Sequence, residues 1–265
     1  RRVAITKEAG AATINTDRMW HYTEGVRNWN PIWTNHAIRI LPGPSSMWLD
    51  ATGERLPVPL LPGFDTLGTL KHILATGYDY SWFVLTKRII AKEFALSGSE
   101  QNPDMTSKSW LAVVKRALKG VPAPVQAFMD HGADFVIRDD LESLVEGMNA
   151  LTGGTPALDA RRIREQIEAR DRPLDNPFAK DMQVTALRAA RAYRGDRLTR
   201  VATPHKLLDP DAGPLIAVRL SILTRKFLGG LETNLDGAVL GVDGRAIAGL
   251  YAAREASGLG GGGLH

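Results

Sequence analysis

The chain has 265 residues, of which 44% are hydrophobic and 23% are charged, a balance typical of a globular protein with a sizeable core. It contains no cysteine, which excludes disulfides, thiolate metal ligands and a cysteine nucleophile and fits a reducing compartment, so we expect a cytoplasmic location. No apolar run reaches the roughly 18 residues of a membrane span, and residues 1–12 lack the apolar middle of a signal peptide.

The formal net charge is +4 and the pI is about 9.4, which raises the question of an anionic partner. Ten arginines lie between residues 161 and 200, and six acidic residues are interleaved with them: Glu165, Glu168, Asp171, Asp175, Asp181 and Asp196. Mixed signs of this kind are typical of a solvated helix face, and no DNA- or RNA-binding motif accompanies them. We therefore expect no nucleic-acid partner.

The first third of the chain predicts a helix end, a loop and two strands. Residues 2–10 form the end of a helix that is closed by Gly10. Residues 18–33 are rich in aromatic side chains but lack periodicity, so we expect an ordered loop. Residues 37–41 and 46–58 predict strands, with a turn at Asp50-Ala-Thr-Gly.

Alternating helices and strands follow. Residues 66–77 carry Leu67, Leu70 and Leu74 at helical spacing, which predicts a helix with these leucines on one face. Residues 80–85 predict a strand and residues 87–94 a short helix. From Ser107 onward one apolar helix face is predicted, formed by Trp110, Val113, Val114, Ala117 and Leu118.

The middle of the chain continues with a strand at residues 133–137 and two helices. The first places Leu141, Leu144, Val145 and Met148 on one face, with Asp139 and Glu142 at the spacing of a capping pair. The second is predicted to begin at a Thr155 cap with Pro156 in the first helical position.

After Pro214 the chain becomes apolar and rich in strand-forming residues. Its short predicted strands are separated by the turn dipeptides Asp236-Gly237 and Asp243-Gly244. We place a boundary near Pro214, with a mixed α+β middle at about 18–213 and two ends that belong to another layer.

The chain ends in a glycine run in which Gly258, Gly260 and Gly263 fit G-x-G-x-x-G. A dinucleotide fingerprint also requires a preceding strand, a following helix and a later acidic residue. A flexible tail is the second interpretation of the run. The third is a backbone that lies against a flat cofactor, because a chain without Cβ atoms can approach a ring closely.

The stretch LGGLETNLDGAVLGVDGRAIAGLYAAREASGLGGGGLH, residues 228–265, resembles the C-terminal flavin segment of the fumarate reductase/succinate dehydrogenase flavoprotein superfamily. The shared pattern is a Gly-Gly, a short strand, an Asp-Gly turn, then G-L-Y-A-A-G-E and a glycine-rich stretch that reaches a histidine. Within the superfamily the chain is most similar to FAD-binding dehydrogenases of the 3-ketosteroid-dehydrogenase-like group. The other stretches that carry this similarity are DRMWHYTEGVRNWNPIW, ILPGPSSMWLDATGERLP, FALSGSEQNPDMTSKSW and DNPFAKDMQVTALRAARAYRGDRL.

The resemblance implies an α+β fold: a capping (substrate) domain of a flavoprotein plus the C-terminal strands of a Rossmann-type FAD domain. Residues 1–17 would end an FAD-domain helix, residues 18–213 would form the cap, and residues 214–265 would return into the FAD domain. The family's N-terminal strand–glycine–helix unit, which holds the FAD pyrophosphate, is not among these residues. The resemblance therefore implies, as a partner, a missing FAD-domain portion or a second chain.

The same resemblance implies the residues that contact FAD. Gly229 and Gly230 match the family's Gly-Gly, and Glu255 matches the glutamate that faces FAD hydroxyls. The final stretch, which would run past the flavin, contains Gly260, Gly261, Gly262, Gly263 and His265. From the residues alone, two glycines in a turn before a strand account equally well for Gly229 and Gly230, and an ordinary surface position is favoured for Glu255.

Tyr251 occupies the tyrosine position that in ketosteroid dehydrogenases helps to polarise a substrate carbonyl, which makes it the candidate catalytic residue. A phenol does this by donating a hydrogen bond to the developing enolate oxygen. A tyrosine packed at a strand end is the alternative. His21, Tyr22 and Phe64 are candidates for lining a substrate cleft, although a structural role also accounts for the first two.

Three departures from the family pattern bear on cofactor and substrate. Arg254 replaces the glycine of G-L-Y-A-A-G-E, where the backbone is expected to approach the cofactor. Lys226 stands where fumarate reductases have a substrate-binding histidine, and Phe64 falls about where they have a proton-donating arginine. These differences argue against fumarate or succinate, whereas Phe64, Trp20, Trp29 and Trp33 suit an apolar, steroid-like ligand.

The sequence supports no metal site, because no two histidines are three or four residues apart, and it has no nucleophile elbow or P-loop. Two hypotheses remain. The chain is part of an FAD-dependent dehydrogenase that acts on the carbon–carbon bond next to a carbonyl of a small apolar ketone. Alternatively, it is a non-catalytic cap-like fragment or subunit that binds a ligand or a partner chain.

Overall fold

The computed structural model describes residues 2–41, 43–98, 101 and 120–258, and the chain divides into two compact units. The small unit comprises Arg1–Tyr22 and Thr224–His265, and the large unit comprises Thr23–Leu223. The predicted apolar helix face at residues 110–118 lies outside the described residues.

The described α-helices are short, and most lie in the large unit. They are α1 (Arg2–Glu8), α2 (Thr66–Ala75), α3 (Lys87–Glu93), α4 (Ala123–His131), α5 (Leu141–Thr152), α6 (Ala160–Asp171), α7 (Met182–Ala192) and α8 (Arg194–Thr199). Single turns of 3₁₀ helix are found at Arg172–Asp175, Pro210–Ala212 and Arg254–Ala256.

The described strands form one large sheet and two small ones. They are β1 (Thr13–Ile14), β2 (Met19–Arg27), β3 (Ala37–Leu41), β4 (Met47–Asp50), β5 (Tyr80–Thr86), β6 (Ala95–Leu96), β7 (Phe135–Arg138), β8 (Leu215–Phe227), β9 (Gly230–Leu231), β10 (Ala238–Leu240) and β11 (Ala246–Tyr251). The large sheet has the order β4-β5-β8-β2-β3-β6, and β7 also pairs with β8. The chain is therefore a mixture of helices and strands, as predicted from its sequence.

Strand β8 organises the large sheet. On one side it pairs antiparallel with β5 from Thr86↔Leu215 to Tyr80↔Ser221, and on the other with β7 from Arg138↔Leu215 to Phe135↔Val218. Its first residues Ile216, Ala217 and Val218 are completely buried, as expected for a strand with neighbours on both sides. The apolar run after Pro214 is therefore the centre of the large unit.

This position of β8 moves the unit boundaries away from those expected from sequence. The predicted divisions, 17/18 and 213/214, lie before the observed ones at 22/23 and 223/224. The reason is that β2 and β8 are long strands, and each contributes residues to both units. The assignment of these units to cap and FAD domain stays a prediction.

Strand β2 corrects the loop predicted at residues 18–33. Its residues Thr23, Glu24 and Val26 are buried, and it pairs with β3 from Gly25↔Arg39 to Arg27↔Ala37. A strand buried on both faces shows no alternation of polar and apolar residues, which is why its sequence lacks the period of two. Only the part after Arg27 is a loop.

A buried aspartate fixes the junction of β2, β7 and β8. Asp134 accepts hydrogen bonds from the Arg27 backbone N–H at 2.7 Å and from the guanidinium groups of Arg27 and Arg219 at 2.9 Å. Burial of a carboxylate is tolerated when cations and hydrogen bonds compensate it in this way.

Helix α5 confirms the predicted apolar face, because Leu141, Leu144, Val145 and Met148 are all buried in the main core. The N-cap residue is Asp140, one residue after the predicted Asp139, and its carboxylate accepts the Ser143 backbone N–H at 2.8 Å. This is a standard N-cap bond, and it displaces the predicted Asp139–Glu142 pair.

Helices α2 and α6 differ from expectation in face and in start. The helix predicted at residues 66–77 is confirmed as α2, but it buries Thr69 and Ile73, whereas Leu67 and Leu74 are exposed and do not form its buried face. α6 begins after an Asp159 cap that accepts the Arg161 N–H at 2.9 Å, and not at Thr155. Leucine spacing and a Thr-Pro pair are local signals, and packing against the sheet overrides them.

The small unit contains α1, two short strand pairs and its own core. β1 pairs with β9 and β10 with β11, both antiparallel. The core residues are Ala11, Leu231, Val239 and Ala252. Gly10, Gly237 and Gly244 have φ between +76° and +84°, which confirms the helix end and both Asp-Gly turns predicted from sequence.

Candidate functional site

The two glycines predicted to contact the flavin lie where the small unit packs backbone on backbone. A Cβ on Gly230 would clash with the Gly258 amide and lie 2.6 Å from the Ala256 carbonyl oxygen. A Cβ on Gly229 would lie 2.5 Å from the Phe227 ring and 2.7 Å from the Asn15 carbonyl oxygen. The chain's own packing thus requires glycine at both positions, and their contact with a flavin stays a prediction.

This close crossing fixes residues 252–258 against β9. The Ala252 N–H donates to the Gly237 carbonyl at 3.0 Å, and Ala252 is buried in the small core. The 3₁₀ turn Arg254–Ala256 follows and presents the exposed side chain of Glu255. A carboxylate held on a tightly packed turn is suited to accept hydrogen bonds from sugar hydroxyls.

Tyr251 ends β11, where it pairs with Ala238. Its side chain is 68% exposed, so its phenol is available to a ligand and is not a packed core group. Glu255 follows Tyr251 by four residues, and the buried Ala252 comes directly after Tyr251. The candidate catalytic phenol and one candidate cofactor carboxylate therefore belong to one short segment of the small unit, and their roles stay predictions.

Arg254 holds a left-handed backbone conformation with φ +53°. This is the position at which the resembled family carries glycine, the residue that adopts positive φ without cost. A non-glycine residue there bears about 1–2 kcal/mol of steric strain. The arginine at this position thus adopts a backbone conformation that favours glycine.

We expect Arg254→Gly to raise the free energy of unfolding by about 0.5–1 kcal/mol, because glycine removes the strain but adds chain entropy to the unfolded state. Thermal or denaturant unfolding measures the change. Ala256→Gly, two residues on and without a positive φ, is the control and should destabilise by a similar amount. A lower stability of the Arg254 variant would contradict the strain argument.

The predicted substrate residues are divided between the units. His21 and Tyr22 are half-buried residues of β2 within the small unit, and the His21 Nε2 atom is buried with no hydrogen-bond partner in the described part of the chain. Phe64 belongs to the large unit, where it is 55% exposed just before α2. Their grouping into one cleft stays a prediction.

The large unit also presents an apolar loop at residues 28–36. Trp29, Ile32 and Trp33 are between 42% and 63% exposed. The loop is closed by His36, whose Nδ1 accepts the Ile32 N–H at 3.3 Å and whose ring stacks on Trp33 at 3.9 Å. Exposed aromatic side chains on a loop with internal hydrogen bonds are suited to contact an apolar ligand.

Gly260, Gly261, Gly262, Gly263 and His265 lie outside the described residues, so their predicted role past the flavin is not addressed by the structure. Among the residues that are described, no group of three or more histidine, aspartate or glutamate side chains is placed to hold a metal ion. In the same part of the chain, no helix is long and apolar enough to cross a membrane.

Sequence reasoning missed a buried polar cluster in the large unit, built on Glu93 and Arg170. The Glu93 carboxylate accepts the Ser45 N–H at 2.9 Å, the Ser45 hydroxyl at 2.5 Å and the Ala202 N–H at 2.8 Å. Burial raises the pKa of Glu93 above its ordinary value, although these donors and the Arg170 charge oppose the shift.

Arg170 is the cationic member of this cluster and is 1% exposed. Its guanidinium donates to Asp171 Oδ1 at 2.6 Å and to the carbonyl oxygens of His205 at 3.1 Å and Ser45 at 3.1 Å. A sequence signal was present: Arg170 follows Ile163 and Ile167 at helical spacing, which places it on the apolar face of α6. A charged residue at such a position predicts a buried network.

Comparisons with known proteins show the family of the chain. A family model described as an FAD binding domain matches residues 1–265, so the chain belongs to the family of FAD-binding flavoproteins. Its fold is similar to that of a 3-ketosteroid Δ1-dehydrogenase from Sterolibacterium denitrificans in complex with 1,4-androstadiene-3,17-dione (TM-score 0.55, 16% identity, 94% of this chain and 40% of that one). It is also similar to an open flavocytochrome c3 fumarate reductase (TM-score 0.51, 14% identity, 97% of this chain and 35% of that one).

The curated relatives are more similar in sequence. A KsdD-like steroid dehydrogenase of Mycolicibacterium smegmatis is 62% identical over 265 residues, which is 100% of this chain and 48% of that protein. A KsdD-like steroid dehydrogenase of Mycobacterium tuberculosis is 60% identical over 266 residues, 100% of this chain and 47% of that protein. The chain thus spans about half the length of these relatives, and FAD is the cofactor of the family to which it belongs.

The described residues fit an FAD contact. Glu255 is an exposed carboxylate on a turn whose backbone is fixed by the crossing at Gly230, and that turn adjoins the exposed phenol of Tyr251. A carboxylate accepts hydrogen bonds from hydroxyl groups such as those of the FAD sugar moieties. The family assignment and the chemistry of this turn therefore agree.

Proposed function

We propose that this chain is the capping domain and the return segment of an FAD-dependent dehydrogenase, which removes hydrogen from the carbon–carbon bond next to the carbonyl of an apolar, steroid-like ketone. The observation that carries the proposal is the exposed phenol of Tyr251 on the same short segment as Glu255. The names of the curated relatives, and their identity of 60% or more, support the reaction class.

In this proposal the chain's residues orient the substrate and stabilise charge. The Tyr251 hydroxyl donates a hydrogen bond to the substrate carbonyl oxygen, and this bond strengthens as the adjacent carbon loses its proton and the oxygen becomes an enolate. The bound flavin supplies the hydride acceptor. Glu255 binds cofactor hydroxyls, and the small-unit glycines keep that turn in place.

Apolar side chains of the chain are proposed to select the substrate. Trp29, Trp33 and Phe64 are exposed aromatic residues of the large unit, and Trp20 lies in the small unit with its ring 6.3 Å from that of Tyr22. Such surfaces suit a polycyclic ketone better than a dicarboxylate, which requires cationic partners. Closure of the cap over the ligand would exclude water.

Reconstitution tests the proposal. The chain is co-expressed with the segment of the Mycolicibacterium smegmatis relative that it does not cover, and flavin absorbance and dye reduction with ketosteroids or succinate are measured. We expect a yellow complex that reduces the dye only with ketosteroids. Turnover of succinate alone would overturn the substrate assignment. A complex that stays colourless with added FAD would overturn the flavoenzyme assignment and favour a non-catalytic fragment.

A further inference from the structure

The arginines between residues 161 and 200 divide into two groups in the structure. Those with partners either form ion pairs with Glu165, Glu54 and Glu142, lie in the buried cluster, or donate to backbone carbonyls: Arg161, Arg162, Arg164, Arg170, Arg188 and Arg191. The others are exposed and have no ion pair within the described residues: Arg172, Arg194, Arg197 and Arg200. Three of these four lie in or directly after α8.

Helix α8 combines these cations with exposed apolar side chains. Arg194, Arg197 and Leu198 are three and four residues apart, so they share one helix face. Tyr193, just before the helix, is 69% exposed, and Leu198 is 59% exposed. We call Tyr193, Arg194, Arg197, Leu198 and Arg200 the α8 face.

The α8 face is held firmly by the large unit. Lys92 of α3 donates to the Leu198 carbonyl, and Arg191 of α7 donates to the Val201 carbonyl at 2.7 Å. Arg188 of α7 donates to the carbonyls of Asn176 and Pro177, and the next residue, Phe178, is 86% exposed. A fixed surface loses little conformational entropy when it binds.

The charge of this region is strongly unbalanced. From Phe178 to Arg200 the sequence has six cationic residues, namely Lys180, Arg188, Arg191, Arg194, Arg197 and Arg200, against the two aspartates Asp181 and Asp196. Asp181 is in addition paired with Arg55 at 3.0 Å. Asp196 lies within α8 itself, so the helix and Arg200 together carry three arginines against one carboxylate.

We propose that the α8 face binds the surface of an anionic lipid bilayer. Arginines beside exposed aromatic and aliphatic side chains are the pattern of interfacial membrane binding, in which cations meet the headgroups and apolar side chains enter the acyl boundary. A nucleic acid offers phosphates but no apolar phase for Leu198 and Tyr193. The proposal is independent of the proposed function, with which it agrees because apolar ketones dissolve in bilayers.

Vesicle sedimentation of the full chain tests this proposal. Vesicles of phosphatidylcholine alone are compared with vesicles that contain one quarter phosphatidylglycerol, at low and at high salt. We expect binding to the anionic vesicles that salt weakens. Arg194→Ala/Arg197→Ala should weaken it about thirtyfold, since each surface arginine contributes about fivefold. Arg161→Ala/Arg164→Ala, an equal charge change at paired arginines, should change it less than about twofold.

Leu198→Ser reports the apolar part of the contact and should also weaken binding to the anionic vesicles. If the double variant does not fold, Arg200→Ala, which lies outside the helix, is measured instead. This variant should weaken binding to the anionic vesicles about fivefold. Three results would overturn the proposal: no binding to anionic vesicles, equal loss in the α8 and control variants, or a loss of duplex-DNA binding in the α8 variant while vesicle binding is unchanged.

Discussion

Tyr251→Phe is expected to lower kcat of the reconstituted dehydrogenase by about two to three orders of magnitude and to change KM only slightly. The reason is that the phenol's hydrogen bond strengthens in the transition state, and loss of one such donor typically costs about 10²–10³ in kcat. The phenyl ring keeps the apolar contacts of the 68% exposed side chain, so ground-state binding is maintained.

The control for Tyr251 is Tyr78→Phe in the large unit, which also removes only a hydroxyl. Tyr78 is half-buried, with its ring 5.9 Å from that of Tyr80, and is not among the candidate site residues. Its kcat should stay within about twofold of wild type, which corresponds to a change of less than RT. If Tyr251→Phe retained more than a tenth of the wild-type kcat with normal flavin absorbance, Tyr251 would not be the polarising group.

Arg170→Ala is expected to reduce the free energy of unfolding by about 3–5 kcal/mol. The substitution leaves the buried Asp171 carboxylate without its cation and leaves the carbonyl oxygens of Ser45 and His205 without this donor. It also removes the Arg170 charge, which lowers the pKa of Glu93 and opposes the effect of burial. Denaturant unfolding of the chain measures the loss.

Arg164→Ala is the matched control for Arg170, because both arginines lie on α6 and pair with a carboxylate. The Arg164–Glu142 pair is 2.7 Å long but its side chains are 38% and 58% exposed, so we expect a loss of no more than about 1 kcal/mol. Equal losses in the two variants would show that burial does not determine the contribution of Arg170.

The pH dependence of stability should carry the signature of Glu93. Because burial raises its folded-state pKa above the ordinary 4.5, the folded state binds more protons than the unfolded state between these two values. The contribution of Glu93 to the free energy of unfolding therefore falls as pH rises from about 4.5 through the raised pKa. Subtracting the free energy of unfolding of Glu93→Gln from that of wild type at each pH isolates this contribution. If this difference rose with pH, the raised pKa of Glu93 would be contradicted.

Local sequence patterns predicted several elements correctly. The apolar face of α5, the strand β5 and the Asp-Gly turns before β10 and β11 agree with expectation, because periodicity and turn chemistry act within a few residues. β2 was missed because its buried residues include the polar Thr23 and Glu24, so it lacks the continuous apolar run that identifies β5. The faces of α2 and the start of α6 depended on what packs against them.

For the candidate site, the cofactor predicted from sequence is confirmed, and the contacts of the individual residues stay predictions. The resemblance of residues 228–265 to a flavoprotein segment led to Tyr251 and Glu255, and the family assignment confirms the FAD connection. The packing role of Gly229 and Gly230 was not predictable, because their neighbours Asn15 and Ala256 are brought close only by folding. The same holds for the partners of Glu93 and Arg170.

The sequence by itself determined the flavoprotein family and the residue types of the predicted cofactor segment at residues 228–265. Both could be identified because they depend on contiguous sequence motifs. Only the tertiary structure decided which charges are buried and which are free. Arg164, Arg170 and Arg194 follow one another in the same arginine-rich stretch, yet one is paired, one is buried and one is exposed. The partner and the burial of each arginine are set by residues that are distant in sequence. The contribution of each charge to stability depends on this partner and on this burial.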